Sequence, residues 1–226
     1  MRTAVFFCLE GPVVRGEIPF SFLLWAGLVG YLRPAEISRG LLNYLRHRGS
    51  GVREAEGPGA DGITLLRGCA VARVESAAAG FFTAQLSRRI RPQAAAFVTA
   101  HRRRGHVTIL LTPAATVLAR PLARFLGVDI LLAPQLEVNG LVYTGRSLTP
   151  QPCGATKRVV AQDYCAQFGS LMAYSYAYAS ALADSPLLEA VGHPTAVHPD
   201  RALRARVAER GWPIADWDAA AAILPP

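Results

Sequence analysis

From about residue 92 onward the sequence alternates helix-period stretches with short β-rich runs, and this alternation narrows the fold further than any other feature of the chain. "AAAFVTAHRRRG" (94–105) reads as a helix stopped by Gly105, "VTILL" (107–111) as a strand, 114–126 as a helix and "DILLA" (129–133) as a strand. A helix over 156–168, a strand over 175–179, a helix over 185–191, the strand "TAVH" (195–198), a helix over 200–210 and a last strand near "WPIADW" follow. Strands separated by helices cannot pair as hairpins, so the pattern calls for an α/β domain with a parallel sheet covered on both faces. The exception is "QLEVNGLVYTGR", where Asn139-Gly140 between alternating apolar residues marks a hairpin.

The opening run "AVFFC" has no partner nearby, so residues 3–7 are expected to join that sheet as a central strand. Residues 18–91 then become an insertion. The expected division is a core of 1–17 and 92–226 and a helical cap of 18–91, with the Gly-rich stretch 49–62 a surface loop. A chain of 226 residues with 51% hydrophobic content can bury one substantial core. Its longest apolar stretch, 18–32, is short for a membrane span and lacks a small-residue cleavage site, so a buried helix is expected there and no membrane association.

Cys8, Cys69, Cys153 and Cys165 lie far apart with no CxxC, which argues against a zinc site or a disulfide framework and for a reducing, cytoplasmic setting. The net charge of +8 raises the question of nucleic acid, but the arginines of "HRRRGH" close a helix and carry no interleaved aromatics to stack bases, so none is expected as partner. Of the 24 cations only Lys157 is a lysine. In so Arg-biased a chain, that one ammonium suggests a compact charge in a tight pocket.

"AVFFCLEGPVVRG" delivers a thiol and a carboxylate near the end of the first strand, where α/β sheets place their crevice. Two readings stand at this point: a small buried Cys beside a solvated Glu, or a reactive pair.

Cys8 with Glu10, Thr112 after "TILL", Lys157 at a helix start and the Ser180 to Asp184 segment after "SYAYA", in that order, resemble the haloacid dehalogenase superfamily, in particular its phosphoserine-phosphatase-like branch with a helical cap. The likeness extends through "YTGR", "SPLLEAVGHPTAVHPD" and the ending "RGWPI". It implies a Rossmann-like parallel sheet and a site made of these same segments. The hydrolases it resembles carry Asp-x-Asp-x-Thr first, then Ser or Thr, then Lys, then two acids. Here Cys8 stands at the nucleophile position, Glu10 at the acid/base, Pro12 at the Thr and Ser180 at the first of the two acids, while Thr112, Lys157 and Asp184 match.

In those phosphatases Mg²⁺ is held by the nucleophile carboxylate, a backbone carbonyl two residues on and the first acid of the fourth motif. A sulfur and a hydroxyl replace two of those oxygen donors here, so neither a metal nor another cofactor is expected. The reading that follows is a metal-independent enzyme with Cys8 as nucleophile for acyl transfer or thioester handling and Glu10 as acid/base. Thr112, Lys157, Ser180, Asp184 and the loop amides would then bind the substrate. The alternatives are a non-catalytic relative binding a small anion and an atypical phosphatase. The expected partner is a small anionic or acyl molecule, with a carrier protein or another protein admissible beside it. The five histidines are expected to be structural or superficial.

Overall fold

A computed structural model describes residues 2–38, 41–42 and 63–219, so the Gly-rich stretch 49–62 lies outside the described residues. Its centre is a six-stranded sheet of β1 (Ala4–Cys8), β2 (Val107–Leu111), β3 (Ile130–Leu132), β6 (Tyr176–Ala179), β7 (His193–Val197) and β8 (Ile214–Ala215), in the order β3-β2-β1-β6-β7-β8. All five pairings are parallel. β4 (Leu136–Asn139) and β5 (Val142–Ser147) form the antiparallel hairpin expected at Asn139-Gly140.

The apolar run of β1 is buried at every position because both faces of the sheet are covered. Val5 and Phe7 pack toward α1 (Ile18–Leu28), α2 (Val71–Phe81), α3 (Pro92–Arg103) and α4 (Thr116–Leu126). Ala4, Phe6 and Cys8 point the opposite way, into a cluster with α5 (Thr156–Phe168), α6 (Ser185–Ala190) and α7 (Arg201–Arg210). Period-two alternation along a strand produces that division.

β1 is also where the winding reverses. The chain builds β2 and β3 on one side of β1, then returns with β6 on the other. Such a switch opens a crevice at the carboxyl ends of the strands, here after Cys8, Leu111 and Ala179.

Helix and strand positions agree with the sequence reading to within a residue or two, and the last strand shrinks to Ile214–Ala215. One small shift matters. The first strand runs one residue further than expected, so Cys8 is its last member and not the first residue of the loop.

Between β1 and β2 the described residues carry α1 and α2, whose buried Phe22, Leu23, Ala77 and Phe81 belong to the same apolar cluster as Val5 and Phe7. The hairpin touches this region as well, with Tyr143 N–H donating to the Cys69 carbonyl at 3.1 Å and Val71 N–H to the Leu141 carbonyl at 2.9 Å. Among the described residues no helix is long and apolar enough to cross a membrane.

Candidate active site

The register Cys8↔Leu111 sets the ends of β1 and β2 side by side and brings Glu10 against Thr112. The Thr112 hydroxyl donates to Glu10 Oε1 at 2.9 Å and Oε2 at 3.1 Å, and its oxygen accepts the Ala114 N–H at 3.0 Å. Its one proton is committed to Glu10. Thr112 thus stands at the crevice with its hydroxyl turned onto Glu10.

On the other flank of β1, Lys157 at the start of α5 reaches Asp184, which ends the turn after β6, with Nζ to Oδ1 at 2.7 Å. Both side chains are buried. Burial alone would drive the amine toward its neutral form; the neighbouring Cys8, Asp184 and Glu10 act the other way, and with Cys8 a thiol it is the Asp184 carboxylate, accepting the Lys157 hydrogen bond, that keeps the ammonium charged. Lys157, Asp184, Glu10 and Cys8 all feel one another electrostatically. Ser180 completes the ring, its side chain resting against Gly11. Gly11 has φ +96, and a Cβ there would lie 1.8 Å from Ser180 Oγ, so the loop after β1 and the turn after β6 meet only because this residue is glycine. The six residues singled out from the sequence thus stand around one crevice.

Two expectations fail on this geometry. Cys8 is wholly buried among Ile109, Leu111, Ala177 and Ala179, and burial, reinforced by Asp184, pushes its thiol far up despite the nearby Lys157. A neutral thiol packed in an apolar cluster is not an activated nucleophile. The loop amides are also occupied: Leu9 N–H donates to the Leu111 carbonyl, Gly11 N–H to Val14, and Val13 and Val14 N–H to Leu9. These four amides fold the loop.

Glu10 differs from both. Burial lifts its carboxyl above the usual range, outweighing the Lys157 ammonium and the Thr112 hydrogen bond. A carboxyl that keeps its proton nearer neutrality is suited to donate it.

Residues 15–189 match the haloacid dehalogenase-like hydrolases. The chain belongs to this family. The chain is similar to the inhibition of morphological differentiation protein of Streptomyces azureus, 31% identical over 68% of this chain and 55% of that protein. A probable phosphatase of Mycobacterium tuberculosis is 33% identical over 54% of this chain and 42% of its own. The chain spans about half the length of these curated relatives. Among solved structures, a Bordetella pertussis protein of unknown function superposes with a TM-score of 0.82 at 26% identity, over 94% of this chain and 97% of that one. A substrate-bound phosphoserine phosphatase shares the fold, with a TM-score of 0.64 at 16% identity over 91% and 90%.

These relatives overturn the expectation of acyl transfer or thioester handling on Cys8. Several relatives are named as phosphatases, among them a probable phosphatase and a phosphoserine phosphatase of Mycobacterium tuberculosis and a histidinol-phosphatase of Neisseria meningitidis, and the buried thiol agrees.

The Mg²⁺ that the family implies does not suit the donors present. The two side chains at the metal-holding positions are a neutral thiol and the Ser180 hydroxyl, and one oxygen of Asp184 is taken by Lys157. A hard dication needs several charged oxygens. Among the described residues the one set of three His, Cys, Asp or Glu side chains with converging donor atoms is His198, Asp216 and Asp218, outside this crevice. Asp218 there is held by Arg15 and Arg91, and His198 Nε2 accepts the Trp217 N–H at 3.0 Å. This grouping escaped the sequence reading, in which His198 was merely structural.

Proposed function

We propose that this chain hydrolyses a small phosphate monoester in the crevice after β1, β2 and β6, without a metal ion. The carrying observation is geometric: at the end of β1, Lys157 is held on Asp184 at 2.7 Å on one flank and Glu10 is held by the Thr112 hydroxyl at 2.9 Å on the other. The N–H donors of Lys157 not used by Asp184 meet the phosphoryl oxygens, and the Ser180 hydroxyl adds a neutral donor beside them. Glu10, oriented by Thr112, gives its proton to the ester oxygen as the phosphorus–oxygen bond breaks. A water molecule supplies the new oxygen to phosphorus and its released proton restores Glu10, so the products are the alcohol and inorganic phosphate. Cys8 forms the apolar floor beneath. The helices α1 and α2 form the cap over the substrate's organic part.

The names of the relatives support phosphate esters as the substrate class, and the donor set supports the metal-free route. A panel of phosphate monoesters offered in the presence of a chelator tests both. Phosphate release that is lost in Glu10→Gln and strongly weakened in Lys157→Met is the expected result. Binding of inorganic phosphate without turnover of any ester, or turnover that appears only on adding Mg²⁺, would overturn the proposal.

A further inference from the structure

The carboxyl-terminal end of the described chain reaches the loop that carries Glu10. Trp217 is fully buried against Phe7, Phe97 and Tyr178, and its carbonyl accepts the Gln93 N–H at 3.2 Å. His198, in the left-handed region at φ 45, receives the Trp217 N–H on Nε2. The next residue, Asp218, pairs with two guanidinium groups: Arg15 Nη2 at 2.7 Å and Arg91 Nη1. Arg91 then uses its Nε to donate to the Gly11 carbonyl at 2.7 Å, and its own backbone N–H to the Val13 carbonyl at 2.9 Å. Its side chain is only 11% exposed.

These contacts fall on the two segments that lead out of and back into the sheet. Val14 pairs antiparallel with Ile90, and Arg15 N–H donates to the Arg89 carbonyl at 3.0 Å. Asp218 therefore ties Arg15 on the outgoing segment to Arg91 on the returning one. Arg91 is the one group of this cluster that touches the turn directly after Glu10. Its planar fork can satisfy Asp218 and Gly11 at once, which a lysine ammonium cannot do in the same geometry.

We propose that Arg91 is a positioning residue for Glu10, and that the Trp217–Asp218 end is the anchor that holds Arg91 in place. The part concerning Glu10 rests on the function proposed above; the clamp on the loop does not.

The test compares Arg91→Met, Arg91→Lys and Asp218→Asn in the full chain by two measurements. Hydrogen exchange of the amides of Gly11, Val13 and Val14 reads the clamp itself. It should accelerate about tenfold or more in all three variants, with Arg91→Lys close to Arg91→Met because charge alone does not hold the Gly11 carbonyl. Unchanged exchange in a folded Arg91→Met overturns the clamp; should that variant not fold, unchanged exchange in Asp218→Asn does so. The second reading is the pH profile of sulfate affinity, sulfate being an anion whose charge stays fixed as Glu10 titrates. A loosened loop admits water to Glu10, so the midpoint of the profile should move down toward an ordinary carboxylate in each variant while remaining unmoved in Arg206→Met, a surface change elsewhere. Faster exchange with an unmoved midpoint overturns the link to Glu10 and leaves a structural clamp. A wild-type protein with no sulfate affinity refutes the anion site of the proposed function, and the exchange result still decides the clamp.

Discussion

Lys157 Nζ lies 2.7 Å from Asp184 Oδ1, with both side chains less than a tenth exposed, 7% and 4%. The chain's only lysine is therefore held by a carboxylate across the carboxyl ends of the strands, where an arriving anion would meet it. A buried pair of this kind contributes little net stability, yet removing either partner strands a buried charge.

Lys157→Met should consequently lower unfolding stability by about 3–5 kcal/mol, and Asp184→Asn by a similar order, while the double replacement costs much less than the sum. Urea denaturation of the three variants measures this. Strict additivity would mean that the pair is already solvated.

Alkylation at neutral pH should label Cys153 first. It alone of the four cysteines is not buried, and burial raises the thiols of Cys8, Cys69 and Cys165. Peptide mapping after a short pulse of iodoacetamide reads the order. Prompt native labelling of Cys8 would contradict the packing described here.

Acid should destabilise the fold through His101. This residue is buried, with Nε2 2.7 Å from the Tyr178 hydroxyl and Nδ1 3.0 Å from His106 Nδ1. One proton fits between the two rings; a second sets N–H against N–H. Burial, with smaller contributions from His106 and Arg104, pushes His101 down to about 4. A depressed histidine leaves the folded state fully stable above the unfolded value of about 6.5, and stability is lost as pH falls from there toward about 4. The unfolding free energy should drop by about 2–3 kcal/mol across that window beyond any carboxylate effect. His101→Phe should flatten the fall, and an unaltered slope would contradict the assignment.

Mg²⁺ at millimolar levels should leave the melting temperature unchanged. Cys8→Asp with Ser180→Asp supplies two carboxylates where a thiol and a hydroxyl stand, and this double variant should gain Mg²⁺-dependent stabilisation. Mg²⁺ stabilising the native chain through this crevice would show that the donor set had been misjudged.

Much of this site could be read before any coordinates, for physical reasons. Parallel strands buried on both faces leave unbroken apolar runs, so β1, β2 and β6 announce themselves, and the residues after them must lie at one crevice. Lys157 stood out because the chain otherwise uses arginine. What escaped depended on details without local signature. Alternation along β1 sends Cys8, with Ala4 and Phe6, into the apolar cluster on one face of the sheet and not toward the crevice. The direction of the Thr112 proton depends on a partner 102 residues away. The Arg15–Asp218 contact joins positions 203 residues apart, and no periodicity near either end reports it. The run "ADWD" (215–218) did hold a hint, a tryptophan set between two acids near a run of alanines, where a large aromatic ring has a core to dock onto.

The most direct test of the central claim is the pH dependence of phosphate release from a phosphate monoester under chelation, for the wild type and Glu10→Gln. With Glu10 donating its proton to the ester oxygen, kcat/KM should fall as pH rises through a midpoint above the ordinary carboxylate range, and Glu10→Gln should lose about 10²–10⁴-fold in rate. Absence of release from any ester, or release that Glu10→Gln leaves intact across the pH range, would contradict the account.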